Sequence, residues 1–205
     1  LLFKWEGSDN SLAPILLTAH YDVVPVIPGT ESIWEEEPFA GVISNNRIWG
    51  RGALDDKSGV VGMMEAATYL IKNNFQPTRT VYFSFGHDEE IGGGGAAQVT
   101  EKLKQEGVQL QWSLDEGSFV NRGFFPGVDK LVAPLNVAEK GIMNLLIVAK
   151  AKGGHSSTPP KKTAVNILAD ALIKLENEPL PGSLECLSAV MFDEVSKHMP
   201  FGYRF

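Results

Sequence analysis

Three apolar, β-rich runs in this chain end in acidic residues, and the intervals between them carry helical spacing. Pro14 to Ala19 runs into His20-Tyr21-Asp22, Thr80 to Phe85 into Gly86-His87-Asp88-Glu89-Glu90, and Leu110 to Leu114 into Asp115-Glu116. Between the first two, Val60, Val61, Met64, Ala67, Leu70 and Ile71 recur at three- and four-residue steps until Asn73-Asn74 and Pro77 stop them; between the second and third, Val99 and Leu103 mark another helix. A continuous apolar run suits a strand covered on both faces, and strands alternating with helices specify an α/β fold with a mostly parallel sheet. Ligands in such sheets bind just beyond the carboxyl ends of the strands, and the acidic clusters fall there.

The rest of the chain is less regular. Leu1 to Trp5 reads as a strand already under way, and Val24 to Asn46 as an irregular surface connection containing the acidic run Glu35-Glu36-Glu37. Arg47-Ile48-Trp49 reads as a short strand, followed by a turn at Gly50-Arg51-Gly52 and then Asp55-Asp56-Lys57. Beyond Leu131 we expect a strand at Leu145 to Ala149, a loop at Gly153-Gly154-His155-Ser156-Ser157 and a helix from Val165 to Leu175, with a domain boundary near Gly141. The expected domains are residues 1–141 and 142–205. The beginning within a strand and the end at Gly202-Tyr203-Arg204-Phe205 suggest a piece of a longer protein.

Several function classes are disfavoured. Eighteen Lys and Arg against 25 Asp and Glu give a net charge of -7, with no basic block to neutralise a phosphate backbone, so no nucleic-acid partner is expected. No run approaches the ~20 apolar residues of a membrane span, and no membrane partner is expected. The glycines Gly92 to Gly95 follow a strand but lack the Lys-Ser/Thr pair of a phosphate-binding loop. The single cysteine, Cys186, cannot pair within the chain.

His20, Asp22, Asp55, Asp56, Glu89, Glu90, Asp115 and Glu116 are too acidic a group to share one pocket without either holding protons or binding a cation. One imidazole with several carboxylates suits zinc, and this many ligands suits two ions bridged by a carboxylate. Each cluster also has an ordinary reading: Asp55-Asp56 as a helix cap, Glu89-Glu90 as a solvated loop pair, Asp115-Glu116 as an acidic turn. Their joint placement favours the metal. Spacing alone leaves the role of each carboxylate open.

At these residues the sequence resembles metallopeptidase family M-20. The resemblance is carried by Thr18-Ala19-His20-Tyr21-Asp22-Val23-Val24-Pro25, Trp49 to Lys57, Gly86-His87-Asp88-Glu89-Glu90, Leu114-Asp115-Glu116-Gly117 and Gly154-His155-Ser156-Ser157. Glu139-Lys140-Gly141 and Ser156 to Pro160 look closest to the branch of Gly-X carboxypeptidases and N-fatty-acyl-amino-acid synthase/hydrolases. The resemblance implies a zinc-exopeptidase-like α/β catalytic domain with an inserted α+β lid or dimerisation domain, in which this chain would end. It implies two zinc ions, with cobalt or manganese able to occupy such ligands. His20 and Asp115 would bind one ion, Asp55 would bridge, and Glu90 would bind the other; Glu116 is the fallback for Asp115. Asp22 would orient His20, and Glu89 would be the general base.

The resemblance further gives His155 an oxyanion-stabilising role, often across a homodimer formed through the lid, and typically a cis Asp55-Asp56 peptide bond. His87 and His198 match no ligand position, and a further His ligand expected after the lid is not matched in this sequence. The implied activity is hydrolysis of the amide to a C-terminal amino acid in a small peptide or N-acyl amino acid. The alternatives are a dipeptidase of the same family, or a catalytically silent binding or dimerisation protein of the same fold.

Overall fold

The computed structural model describes residues 1–139, 141–183 and 185–204. They fall into two compact units, Leu1–Glu116 and Gly117–Phe205. The α/β expectation holds in the first. Its elements are β1 (Leu2–Trp5), β2 (Ile15–His20), β3 (Val42–Ser44), β4 (Arg47–Trp49), α1 (Lys57–Lys72), β5 (Val81–Gly86), α2 (Gly95–Gln105) and β6 (Trp112–Leu114). Strands β1, β5, β2 and β6 form one sheet in that order. β2 runs parallel to both β5 and β6, and only β1, at the edge, is antiparallel.

The central place of β2 positions the site. Its last residue, His20, lies opposite Gly86 at the end of β5, while Leu17 pairs with Leu114 at the end of β6. The three parallel strands therefore deliver His20, the Asp88–Glu90 loop and Asp115–Glu116 at the same end of the sheet, which is what parallel pairing imposes on chain direction.

The sheet is held by Ala19, Phe83 and Phe85, packed with Trp5, Leu17 and Val81 and with Val60, Met63 and Ala67 of α1. The helix thus packs the half-buried stripe 60, 63, 67 against the sheet; Val61, Met64 and Ile71, which periodicity also allowed, are exposed. Apolar residues at every position from Val60 to Met64 except Gly62 leave the phase of the helix undecided by pattern alone.

Two local expectations are corrected. The segment read as irregular from Val24 to Asn46 contains β3, paired antiparallel with β4. Asn45 and Asn46 join them with φ of 51° and 59°, the left-handed pair that a two-residue hairpin turn needs and that asparagine tolerates. The strand expected at Leu145–Ala149 is not formed: residues 141–150 carry no strand, and Leu145, Leu146 and Val148 are exposed. An apolar run becomes a strand only when another strand accepts its backbone bonds, and among the described residues none does.

The second unit contains a short hairpin, β7 (Asn121–Arg122) with β8 (Leu131–Val132), and two helices, α3 (Ala164–Asn177) and α4 (Leu187–Ser196). Thr163 and Asn166 close α3 with a reciprocal capping box. Phe125, Val128 and Val195 form a small core with Val132, Met191 and Met199. No helix among the described residues is long and apolar enough to cross a membrane.

Phe85, 2% exposed, belongs to the buried cluster of this sheet. Phe85→Ala is expected to destabilise the first unit by about 3 to 5 kcal/mol, read as a lower urea midpoint at unchanged slope.

Candidate metal centre

His20 is 2% exposed and its ring is addressed from both sides. Nδ1 lies 3.2 Å from the Asp22 carbonyl oxygen and 3.4 Å from Asp22 Oδ1. Nε2 lies 3.0 Å from Asp55 Oδ1, 3.3 Å from Glu116 Oε1 and 3.8 Å from Glu89 Oε2. An Nδ1 proton donated to Asp22 leaves a lone pair at Nε2 facing three carboxylates; a proton at Nε2 satisfies one of them at a time. A divalent cation would answer the imidazole and two of these carboxylates together: the His20, Asp55 and Glu116 donor atoms lie within 4.8 Å of one another. The nitrogen and oxygen donors fit such an ion.

The acidic doublets divide their work. Asp56, buried beside Asp55, is the N-cap of α1: Gly59 N-H donates to its Oδ1 at 3.2 Å and His20 N-H to its Oδ2 at 3.4 Å. Asp56 thus takes the capping role, while Asp55 Oδ1 faces His20 Nε2 at 3.0 Å. The Asp55-Asp56 peptide is cis, as the resemblance implied.

Asp88 does the same for Glu89. Gly95 N-H, in the first turn of α2, points at both Asp88 oxygens at 3.1 Å, and Gly93 N-H donates to the Asp88 carbonyl. A Cβ on either Gly93 or Gly95 would collide with the Asp88 carboxylate. The glycine run thus makes room for a carboxylate cap, a role that the sequence pattern concealed.

The third doublet differs from expectation in which member faces the imidazole. Asp115 Oδ1 accepts the Thr18 hydroxyl at 2.5 Å and Glu116 N-H at 2.9 Å, and Glu116 joins His20 and Asp55. Glu90 stands apart from this group: its N-H donates to Asp22 Oδ2 at 3.0 Å and its carboxylate accepts Val24 N-H at 3.3 Å. Asp22 therefore joins the His20 ring to the Glu89–Glu90 loop.

His155 lies in the second unit, where its Nδ1 is 2.8 Å from Ser157 Oγ, and it is exposed. Lys140, at the centre of the Glu139-Lys140-Gly141 motif, falls outside the described residues. His87 is exposed, 3.8 Å from Asp88. Glu116 was the sequence's fallback for Asp115, whereas Thr18 and Asp88 were the participants least evident in the sequence. The only signal for them was adjacency to the acidic motifs.

Charge crowding shows in the proton affinities. Burial raises the Glu116 carboxyl, and Asp55, Asp56 and Glu89 add to it against the pull of His20, reaching about 7. Glu89 is raised for the same reasons, burial first, with Glu90, Asp22 and Asp55 contributing. For His20, burial acts downward, but Glu116, the Asp55 hydrogen bond and Glu89 outweigh it and hold the imidazole above its ordinary value. Asp22 moves the other way: burial pushes it up, but the Glu90 and Glu89 backbone donors and His20 bring it below the usual range.

Comparison with known proteins establishes the family. The profile of peptidase family M20/M25/M40 matches residues 16–195, and the chain belongs to that family. It is 44% identical over 88% of its length to the N-fatty-acyl-amino acid synthase/hydrolase PM20D1 of Mus musculus, covering 35% of that protein. It is 38% identical over 100% of its length to the probable carboxypeptidase S-like 2 of Dictyostelium discoideum, covering 40%. The family and branch are those expected from the motifs, and the chain spans little more than a third of these relatives.

Among solved structures, it resembles an M20 family metallo-carboxypeptidase from Sulfolobus solfataricus with TM-score 0.52 and 27% identity, over 62% of this chain and 28% of that one. The fold is also that of human carnosine dipeptidase 1, with TM-score 0.50 and 21% identity over 62% and 26% of the two chains.

The raised carboxyls set the direction of two pH effects. Without metal, the Glu116 carboxyl binds its proton more tightly in the folded chain than in the unfolded one between the ordinary Glu value of 4.5 and about 7, so its contribution to stability falls as pH rises through that window. A cation must displace the same protons, so zinc affinity is expected to rise from pH 6 to pH 8, with proton release at pH 6. Calorimetric titration in buffers of different ionisation enthalpy checks this; an affinity flat across that range would contradict the coupling.

Proposed function

We propose that the complete protein is a zinc-dependent amidohydrolase that releases a C-terminal amino acid from a small peptide or an N-acyl amino acid. The observation that carries this reading is the convergence of Asp55, Glu116 and Glu89 on His20 Nε2. The names of the relatives, an N-fatty-acyl-amino acid synthase/hydrolase and a carboxypeptidase S-like protein, support the substrate class.

In this reading His20, Asp55 and Glu116 would hold one zinc, with Glu116 in the place that the resemblance gave to Asp115. Asp55 and Glu90 would help to hold a second ion. The bound metal supplies Lewis acidity to the scissile carbonyl. Glu89, whose carboxyl is raised above its ordinary value by burial and by its acidic neighbours, takes the proton of the attacking water and returns it to the leaving amine. Asp22 holds the His20 ring in the tautomer that leaves Nε2 free as a ligand. His155, in the lid that begins near residue 142, stabilises the developing oxyanion in the partner subunit of a homodimer.

Glu89→Gln in the complete protein is expected to keep its zinc content and lose a hundredfold or more of turnover, about the contribution of a general base. Amino-acid release from a panel of dipeptides and of short- and long-chain N-acyl amino acids, beside a chelated control, measures this and identifies the substrate. Retained turnover would remove Glu89 from the role, and chelator-resistant release would overturn the metal dependence. For His155, heterodimers of Glu89→Gln and His155→Ala subunits are expected to regain activity that neither homodimer has; inactive heterodimers would exclude action across the dimer.

A further inference from the structure

We infer that Thr18 and Asp115 form a clamp that selects which of two adjacent carboxylates is presented to His20, making both of them positioning residues for Glu116. The inference rests on the reading of the His20 cluster as a divalent-metal site. Asp115 and Glu116 follow β6 directly, and the β2–β6 register ends at the pair Leu17 and Leu114. Continuing it by one step sets Asp115 beside Thr18, the residue two before His20 and so on the same side of β2. By strand alternation alone, Asp115 would be the carboxylate nearest the imidazole.

Asp115 is instead held where the strand leaves it. Its Oδ1 takes the single hydroxyl proton of Thr18 at 2.5 Å, while the Leu114 carbonyl lies 3.5 Å from that hydroxyl. The same oxygen accepts Glu116 N-H at 2.9 Å. This second bond fixes the backbone at the residue that turns back toward the ring, and Glu116 Oε1 arrives 3.3 Å from His20 Nε2. The hydroxyl and the imidazole share a strand, so the clamp ties the end of β6 to the element that carries the metal-facing nitrogen. Without the hydroxyl, Asp115 has one donor fewer, and the two carboxylates are free to compete for the cation. A side chain that orients a ligand without touching the metal typically changes affinity by about 10- to 100-fold.

The test uses the complete protein and Co(II), read by titration affinity and by visible absorption, with thermal melting as the folding check. Thr18→Val keeps the shape and removes the hydroxyl; Thr18→Ser restores it. Thr18→Val and Asp115→Ala are each expected to weaken Co(II) by about tenfold and alter its absorption, Thr18→Ser to remain near the parent, and Glu116→Gln to weaken it more than either. Wild-type affinity and spectrum in Thr18→Val would overturn the clamp, as would a loss in Asp115→Ala exceeding that of Glu116→Gln, which would make Asp115 itself the ligand. Unchanged Co(II) binding in both Glu116→Gln and His20→Ala would instead overturn the metal reading on which the clamp depends.

Discussion

Carboxylates crowd one buried imidazole in this protein, and holding that much negative charge in place is the constraint to which the surrounding structure answers. In water such groups would separate; here the parallel strands bring them together and local bonds keep them aimed. Each acidic doublet is split. Asp56, Asp88 and Asp115 are engaged by backbone N-H groups, Asp115 also by a hydroxyl, while their neighbours Asp55, Glu89 and Glu116 face His20. Two of the engaged carboxylates sit at the starts of α1 and α2, where unpaired N-H groups and the helix dipole favour negative charge. The helices that complete the α/β layers thus also stabilise the acidic end of the sheet.

The bonds that engage the second carboxylates differ: Asp56 and Asp88 bind N-H groups at the starts of α1 and α2, whereas Asp115 binds the adjacent Glu116 N-H and the Thr18 hydroxyl of β2. The glycines at 93 and 95 belong to the Asp88 cap, because Asp88 occupies the space their side chains would need. The raised proton affinities of Glu89 and Glu116 are the residual cost of the arrangement, and a cation at the centre would remove it.

The profile of peptidase family M20/M25/M40 matches residues 16–195, a span that takes in His20 and the carboxylates gathered round it. The chain covers 35% to 40% of its relatives PM20D1 of Mus musculus and carboxypeptidase S-like 2 of Dictyostelium discoideum. Many apolar side chains of the second unit, Ile142, Leu146 and Leu180 among them, are exposed in this structure. The first unit carries the four-stranded sheet and the carboxylates gathered round His20.

The amino-acid pattern by itself determined the strand, acid and helix alternation, and with it the parallel sheet and the end at which chemistry gathers, because hydrophobic period and chain direction are local properties. It also marked His20, Asp55 and Glu89, since their motifs terminate the regular elements. It did not decide the face of α1, the pairing of Val42–Ser44 or the fate of Leu145–Ala149, each of which depends on what another segment offers. Nor did it decide between Asp115 and Glu116. Two carboxylates adjacent in sequence are chemically alike until a hydroxyl on a neighbouring strand engages one of them, and that neighbour is supplied only by the β2–β6 register of the folded chain.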